Sequence, residues 1–317
     1  MKIIVCTGDS HTWGQGVSRA TELYGGEVRG GDLRPTAFDT DGYVNLLRRT
    51  VEADGASFSR QLIGEDLAKA IGRGTDGRAV KVGAGDRLDF SGELLRLYFE
   101  TEPQPQRVAF SIDSEKYQIE LEGYDGDRPE RMKYFRVPAG DHTLVFSSDA
   151  RIYCAEYYGG SACVINAGVG STPSGKYLAE YFTDYAAELF PDVILAEAHS
   201  VNDWLNYPDP AEAEAHLTAL LKACLEVTPK TALLTVAPVG GRQIPGHGGS
   251  EFSLIAGASL NVARKLGIPV ADAWSRLKDL DPESESYRRT WLSDNWHPNE
   301  KGHALYAKLL REVLKEL

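Results

Sequence analysis

The chain has 317 residues, enough for two domains or for one large domain carrying an insertion. Its 42% hydrophobic and 25% charged residues are those of an ordinary globular protein and exclude disordered, collagen-like and coiled-coil readings. A net charge of −12 repels phosphate backbones and anionic bilayers, and no apolar run reaches the ~20 residues of a membrane span, so neither nucleic-acid nor membrane partners are expected.

In chain order, Lys2 to Thr7 is a short apolar run ending in a turn, too short for a signal peptide, so the mature chain is expected to begin at Met1. Similar runs recur at Ala162 to Asn166, Asp192 to Ala198, Thr231 to Pro238 and Ile268 to Asp272, and each reads as a buried strand. Helical spacing fills the gaps between the later runs, at Ser174 to Phe190, Pro210 to Val227, Ser250 to Leu266 and Pro298 to Leu317. Strands alternating with helices predict a parallel sheet covered on both faces, with ligands bound outside the carboxyl ends of its strands.

Residues from about Lys81 to about Tyr157 break this rhythm. Strand-like pieces at Leu95 to Glu100, Arg107 to Ile112, Tyr117 to Leu121, Lys133 to Val137 and Thr143 to Phe146 are separated by turn clusters, among them Gly123 to Pro129 and Ala139-Gly140-Asp141. The predicted organisation is therefore a discontinuous α/β domain over 1–55 and 160–317, interrupted by an antiparallel β-sandwich over 78–159. The stretch from Glu52 to Gly77 reads equally as helix or loop. Cys6, Cys154, Cys163 and Cys224 are scattered and mostly sit in apolar sequence, as buried thiols of a cytoplasmic protein would.

The first strand empties into Gly8-Asp9-Ser10-His11-Thr12-Trp13-Gly14, which sets a serine at the carboxyl end of a buried strand beside glycines that permit a tight turn. Taken alone, Gly-Asp-Ser is more often a helix cap. A serine hydroxyl attacks only when a base takes its proton, and the base needs a carboxylate to hold it. Asp294-Asn295-Trp296-His297 offers both at the entrance to the last helix, three residues apart, with Pro298 suited to that helix's first turn. Donors for a developing oxyanion are available in Asn166 to Thr172 and in the Asn202 carboxamide, each at the end of a predicted strand.

Together these residues resemble the SGNH branch of the GDSL hydrolases, whose four blocks carry Ser, Gly, Asn and His in this order. The resemblance covers about Met1 to Val51 and Ala162 to Leu317. It implies a three-layer α/β/α sandwich with a five-stranded, flavodoxin-like parallel sheet. It also implies Ser10 as nucleophile, His297 as base, Asp294 as its acid partner, and the amides of Ser10 and Gly170 with Asn202 as oxyanion donors. His11 stands where the family name has leucine, Ser200 replaces the usual glycine of the third block, and the second block is one residue short, so Ser171 competes with Gly170 as donor. The insertion, through Gly140 to Leu144, resembles the jelly-roll modules that accompany SGNH carbohydrate esterases.

The function this implies is removal of O-acetyl groups from carbohydrates such as xylo-oligosaccharides. Lipid or thioester acyl hydrolysis, and a non-catalytic carbohydrate-binding protein, are the alternatives. Trp296 and His199 are candidate substrate contacts, as are Trp204, Arg242 and His247. No cofactor is expected, and the histidines show no metal-ligand spacing. The partner is an ester substrate, small or oligosaccharide, and a homo-oligomer is left open.

Overall fold

The computed structural model describes residues 1–20, 34–76, 79–124, 130–207, 209–240 and 251–317. Arg242, His247 and most of the Gly123 to Pro129 turn cluster lie outside the described residues. Two compact units emerge. One comprises Met1, 34–38 and 51–163, and the other 2–20, 39–50 and 164–317.

The chain opens with β1 (Lys2–Gly8), the one-turn helix α1 (Ser10–Trp13) and α2 (Tyr43–Glu52). It then runs through β2 (Ser57–Ile63), α3 (Glu65–Ile71), β3 (Thr75–Asp76), β4 (Ala79–Val82), β5 (Arg87–Glu100), β6 (Gln106–Ile112), β7 (Glu115–Leu121), β8 (Glu130–Phe146) and β9 (Ala150–Gly160). The remainder alternates: β10 (Ala162–Gly168), α4 (Ser174–Glu180), α5 (Phe182–Tyr185), β11 (Val193–Glu197), α6 (Ser200–Asn206) and α7 (Pro210–Val227). It closes with β12 (Thr231–Thr235), α8 (Phe252–Leu266), β13 (Val270–Asp272), α9 (Ala273–Leu277), α10 (Glu285–Trp291) and α11 (Glu300–Leu314).

In the second unit the strands form a five-stranded parallel sheet of order β10-β1-β11-β12-β13, flanked by helices. Every residue of β11 and β12 is buried, which is why both read as unbroken apolar runs rather than alternating ones. α7 matches its predicted bounds because Asp209 caps it, accepting from the Ala211 N–H at 2.9 Å, and Pro210 takes the first helical position. The segment expected as one helix from Ser174 to Phe190 is instead α4, α5 and a 3-10 turn at Ala187–Leu189. The break falls at Tyr181 and Phe182, adjacent aromatic residues that are both buried. The last helix starts at Glu300 and not at Pro298, because Asn299 is its cap and accepts from the Lys301 and Gly302 N–H groups.

The first unit is a single eight-stranded antiparallel sheet, ordered β3-β4-β9-β5-β8-β6-β7 with β2 added on β9. β5 and β8 are 14 and 17 residues long, and both break register where Gly92 faces Gly140. Ala139-Gly140-Asp141, expected as a turn between two strands, is this irregularity inside one strand, a common role for glycine in a strand interior. Leu88 and Phe90 before the break and Leu95, Leu97 and Phe99 after it enter the same core, so the insertion is a sandwich made from one continuous sheet. The stretch that was ambiguous in sequence supplies β2, α3 and β3, with Leu62, Leu67 and Ile71 joining that core.

Candidate active site

β1, β10 and β11 are neighbours in the parallel sheet, so the segments that follow their carboxyl ends meet. The segment after β1 is tightly specified. A side chain at Gly8 would come within 2.0 Å of Thr12 Oγ1 and 2.7 Å of Glu197 Cβ, so only glycine fits there. Asp9 then caps α1, its Oδ1 accepting from the His11 N–H at 2.9 Å, which makes Ser10 the first helical residue. Gly14, at φ 104°, ends the turn by donating to the Ser10 carbonyl at 3.0 Å. Gly16 lets the chain pass the loop before α11, where a side chain would sit 2.2 Å from the Pro298 carbonyl oxygen.

That loop brings the predicted pair to the serine. His297 Nδ1–H donates to Asp294 Oδ2 at 2.7 Å, and Ser10 Oγ–H donates to His297 Nε2 at 3.0 Å. The tautomer follows from this network. Asp294 Oδ1 also accepts from the backbone N–H groups of Trp296 and His297, each at 2.7 Å, so one carboxylate shapes the loop and orients the ring. Burial pushes the Asp294 carboxyl up, but the His297 hydrogen bond and charge, with the two backbone N–H groups, outweigh it and hold the pKa at about 2. Asp294 is therefore ionised at any pH at which the protein would work.

The Asn202 Nδ2–H donates to Asp9 Oδ2 at 2.7 Å, which fixes the carboxamide beside the residue preceding Ser10 and leaves its second N–H for another acceptor. Gly170 is buried in the turn after β10, whereas Ser171 is exposed and takes the left-handed conformation at φ 54°. Asp203, next to Asn202, secures the same turn from the far side by accepting from the Ser174 N–H at 2.7 Å and hydroxyl at 2.8 Å. Burial raises its pKa to about 8 against the pull of those bonds.

Two further groups went unread in the sequence. Glu197, fully buried at the end of β11, accepts from the Asp9 N–H at 3.0 Å and the His199 N–H at 2.8 Å. Burial and the neighbouring Asp9 carboxylate push its pKa well up. A glutamate closing an otherwise apolar strand was the available signal. His303, on α11, accepts from the Tyr43 N–H at 3.2 Å through Nδ1 and donates to the Gln15 carbonyl at 3.1 Å through Nε2, tying α2 and the segment after α1 to the last helix.

His199 does not line a cleft, contrary to expectation. It is fully buried, its Nδ1–H donates to the Thr172 carbonyl at 2.7 Å, and its ring packs against Tyr177. Trp296 is half-buried, and its carbonyl accepts from His11 Nε2–H at 3.0 Å. Trp204 packs edge-on against Phe252. His11, in the leucine position, is buried edge-to-face against the His297 ring, and burial depresses its pKa to about 4, so it is neutral at pH 7.

Among the described residues one group could offer three metal ligands, Asp9, Glu197 and His199, whose ligand atoms lie within 4.8 Å of one another. Both Asp9 oxygens and both Glu197 oxygens already accept hydrogen bonds, while His199 Nε2 is buried with no hydrogen-bond partner among the described residues.

Residues 149–305 match the model of the GDSL-like lipase/acylhydrolase family. Among curated proteins none matches the chain by sequence. One similar solved structure is that of a peptidoglycan O-acetylesterase in action, with 15% identity and a TM-score of 0.56 over 100% of this chain and 91% of that one. Another is an α/β hydrolase enzyme from the metagenome of Lake Arreo, Spain, with 14% identity and a TM-score of 0.49 over 99% and 95% of the two chains. The family match spans the part of the chain that carries Asn202, Asp294 and His297 and stops short of Ser10, because the β-sheet unit separates the first strand from the rest. Residues 149–305 thus form a GDSL-like lipase/acylhydrolase domain, and the chain is a serine hydrolase.

Proposed function

We propose that the protein is an esterase that removes O-acetyl groups from carbohydrates, with Ser10 as its nucleophile. The observation that carries the chemistry is the unbroken hydrogen-bonded series from Ser10 Oγ through His297 to Asp294. Ser10 Oγ attacks the ester carbonyl as His297 Nε2 takes its proton, and Asp294 stabilises the imidazolium that forms. The amides of Ser10 and Gly170 and the second N–H of Asn202 hold the oxyanion. We assign Gly170 over Ser171 because Gly170 is the buried member of the turn. Collapse of the tetrahedral intermediate breaks the bond to the sugar oxygen, which leaves with the proton from His297. Water, deprotonated by His297, then attacks the acetyl-serine and releases acetate, restoring the Ser10 hydroxyl.

The substrate reading draws support from the end-to-end likeness of fold to a peptidoglycan O-acetylesterase. Acetate release from acetylated xylo-oligosaccharides, compared with turnover of 4-nitrophenyl acetate and octanoate, tests it. Release from the sugar with little octanoate turnover is expected. Preference for the octanoyl ester with silence on sugars points to a lipid or thioester hydrolase, and glycan binding without any turnover points to a non-catalytic protein.

A further inference from the structure

The β-sheet unit holds a cleft of ≈600 Å³ built entirely from its own strands. It opens where the sheet forks. Beyond Gly92, β5 pairs with both β8 and β9, with Leu94 opposite Tyr158 and Leu95 opposite Tyr157; before Gly92 it pairs with β8 alone. The fork depends on a close approach, since a side chain at Gly92 would sit 2.4 Å from the Tyr158 carbonyl oxygen. One wall is the β5 and β8 limb, and the other is β2 with the end of β9.

The walls differ in chemistry. On the first, Arg87, Asp89 and Ser91 share the outward face of β5 and meet Asp141 and Thr143 of β8. Arg87 and Thr143 both donate to Asp89 Oδ1, at 2.8 and 2.7 Å, and Ser91 donates to Asp141. Arg87 and Asp89 nevertheless keep 61% and 64% of their side chains exposed, so donors and acceptors remain turned to solvent. On the second wall Phe58 lies across Gly159, where a side chain would meet its ring at 2.6 Å, and it stays 42% exposed although it is a large apolar group. Arg60 stands beside it on the same face of β2.

An exposed aromatic ring facing a row of paired donors and acceptors suits a ligand with an apolar C–H face and hydroxyls at its rim. The charged groups at the cleft balance, Arg60 and Arg87 against Asp89 and Asp141, with His142 paired to Asp113, which selects neither an anion nor a cation. His142, at the floor, is held by Asp113 Oδ2 at 2.7 Å and the Pro138 carbonyl at 2.8 Å and is not available to ligand.

We propose that this cleft is a binding site for a neutral oligosaccharide, with one pyranose ring stacked on Phe58 and its hydroxyls held by Asp89, Asp141 and Arg87. The site lies within the β-sheet unit and does not depend on the chemistry assigned to Ser10.

The test is calorimetric titration of the full-length Ser10→Ala chain with neutral hexasaccharides of xylose, glucose, mannose and N-acetylglucosamine. We expect at least one to bind with a Kd tighter than about 1 mM, and Phe58→Ala or Asp89→Ala to weaken it about tenfold. The same substitutions in the wild-type background leave 4-nitrophenyl acetate turnover and the melting temperature unchanged. Absence of binding by every hexasaccharide overturns the proposal, as does binding that neither substitution weakens. Binding confined to an anionic sugar such as oligogalacturonate overturns the neutral assignment.

Discussion

Asn202 gives one amide hydrogen to Asp9, and the proposed mechanism assigns the other to the oxyanion. Asn202→Ala is therefore expected to lower kcat by ~10²–10³ with little change in KM, as loss of one oxyanion donor does. Steady-state kinetics check this, and a loss confined to KM contradicts it. Glu197 makes a different demand, because its two oxygens accept from two separate backbone N–H groups. Glu197→Ala removes both acceptors and leaves the buried Asp9 and His199 N–H groups unpaired, so we expect it to cost at least about 1–3 kcal/mol of stability. Urea denaturation measures the cost, and a wild-type midpoint contradicts it. Ser10, Asp294 and His297 were legible because each chemistry-bearing type stood at a strand end or at local spacing. Glu197 was not, because its partners Asp9 and His199 acquire their meaning only when β1 and β11 lie side by side.

The elements show where sequence reading holds and where packing overrules it. Buried strands were legible as unbroken apolar runs, and α7 through its Asp209 cap and first-position proline. The division of Ser174 to Leu189 into three pieces was not, since it follows from burying consecutive aromatic rings. β8 was split in the sequence reading because Gly140 signals a turn as strongly as a bulge, and only its partner Gly92 decides between them. Pro298 and Gly302 also had a local meaning: a side chain at Gly302 would sit 2.6 Å from Pro298 Cβ and 2.7 Å from the Trp291 carbonyl oxygen, so the loop carrying His297 seats directly on α11. Gly302→Ala is expected to destabilise by about 1–3 kcal/mol and to lower kcat by displacing His297. Thermal melting and kinetics check both, and a fully active, fully stable variant contradicts the seating.

For the molecule as a whole, buried histidines and buried carboxyls act in opposite directions in acid. Burial depresses the pKa of His11 to about 4 and of His303 to about 3, from 6.5. At these two histidines the folded state binds fewer protons than the unfolded chain between pH 6.5 and about 3, whereas at Asp203 and Glu197 it binds more. The histidine contribution is nil above 6.5 and falls as pH drops through that window, by up to about 1.4 kcal/mol per pH unit for each histidine, while the raised carboxyls of Asp203 and Glu197 act against it. Between pH 7 and 4.5 the urea midpoint of His11→Leu should therefore gain on that of the wild type, and a difference that does not change with pH contradicts the assignment. The change of rhythm near residue 80 announced the antiparallel strands, whereas the place of β2 in the β-sheet unit was not legible, because its pairing with β9 spans about a hundred residues. The central claim, that Ser10 performs the hydrolysis with His297 and Asp294, is tested most directly by comparing 4-nitrophenyl acetate turnover of the wild type and Ser10→Ala. The account predicts that the variant folds normally and falls to the uncatalysed rate, and equal turnover by the two proteins would contradict it.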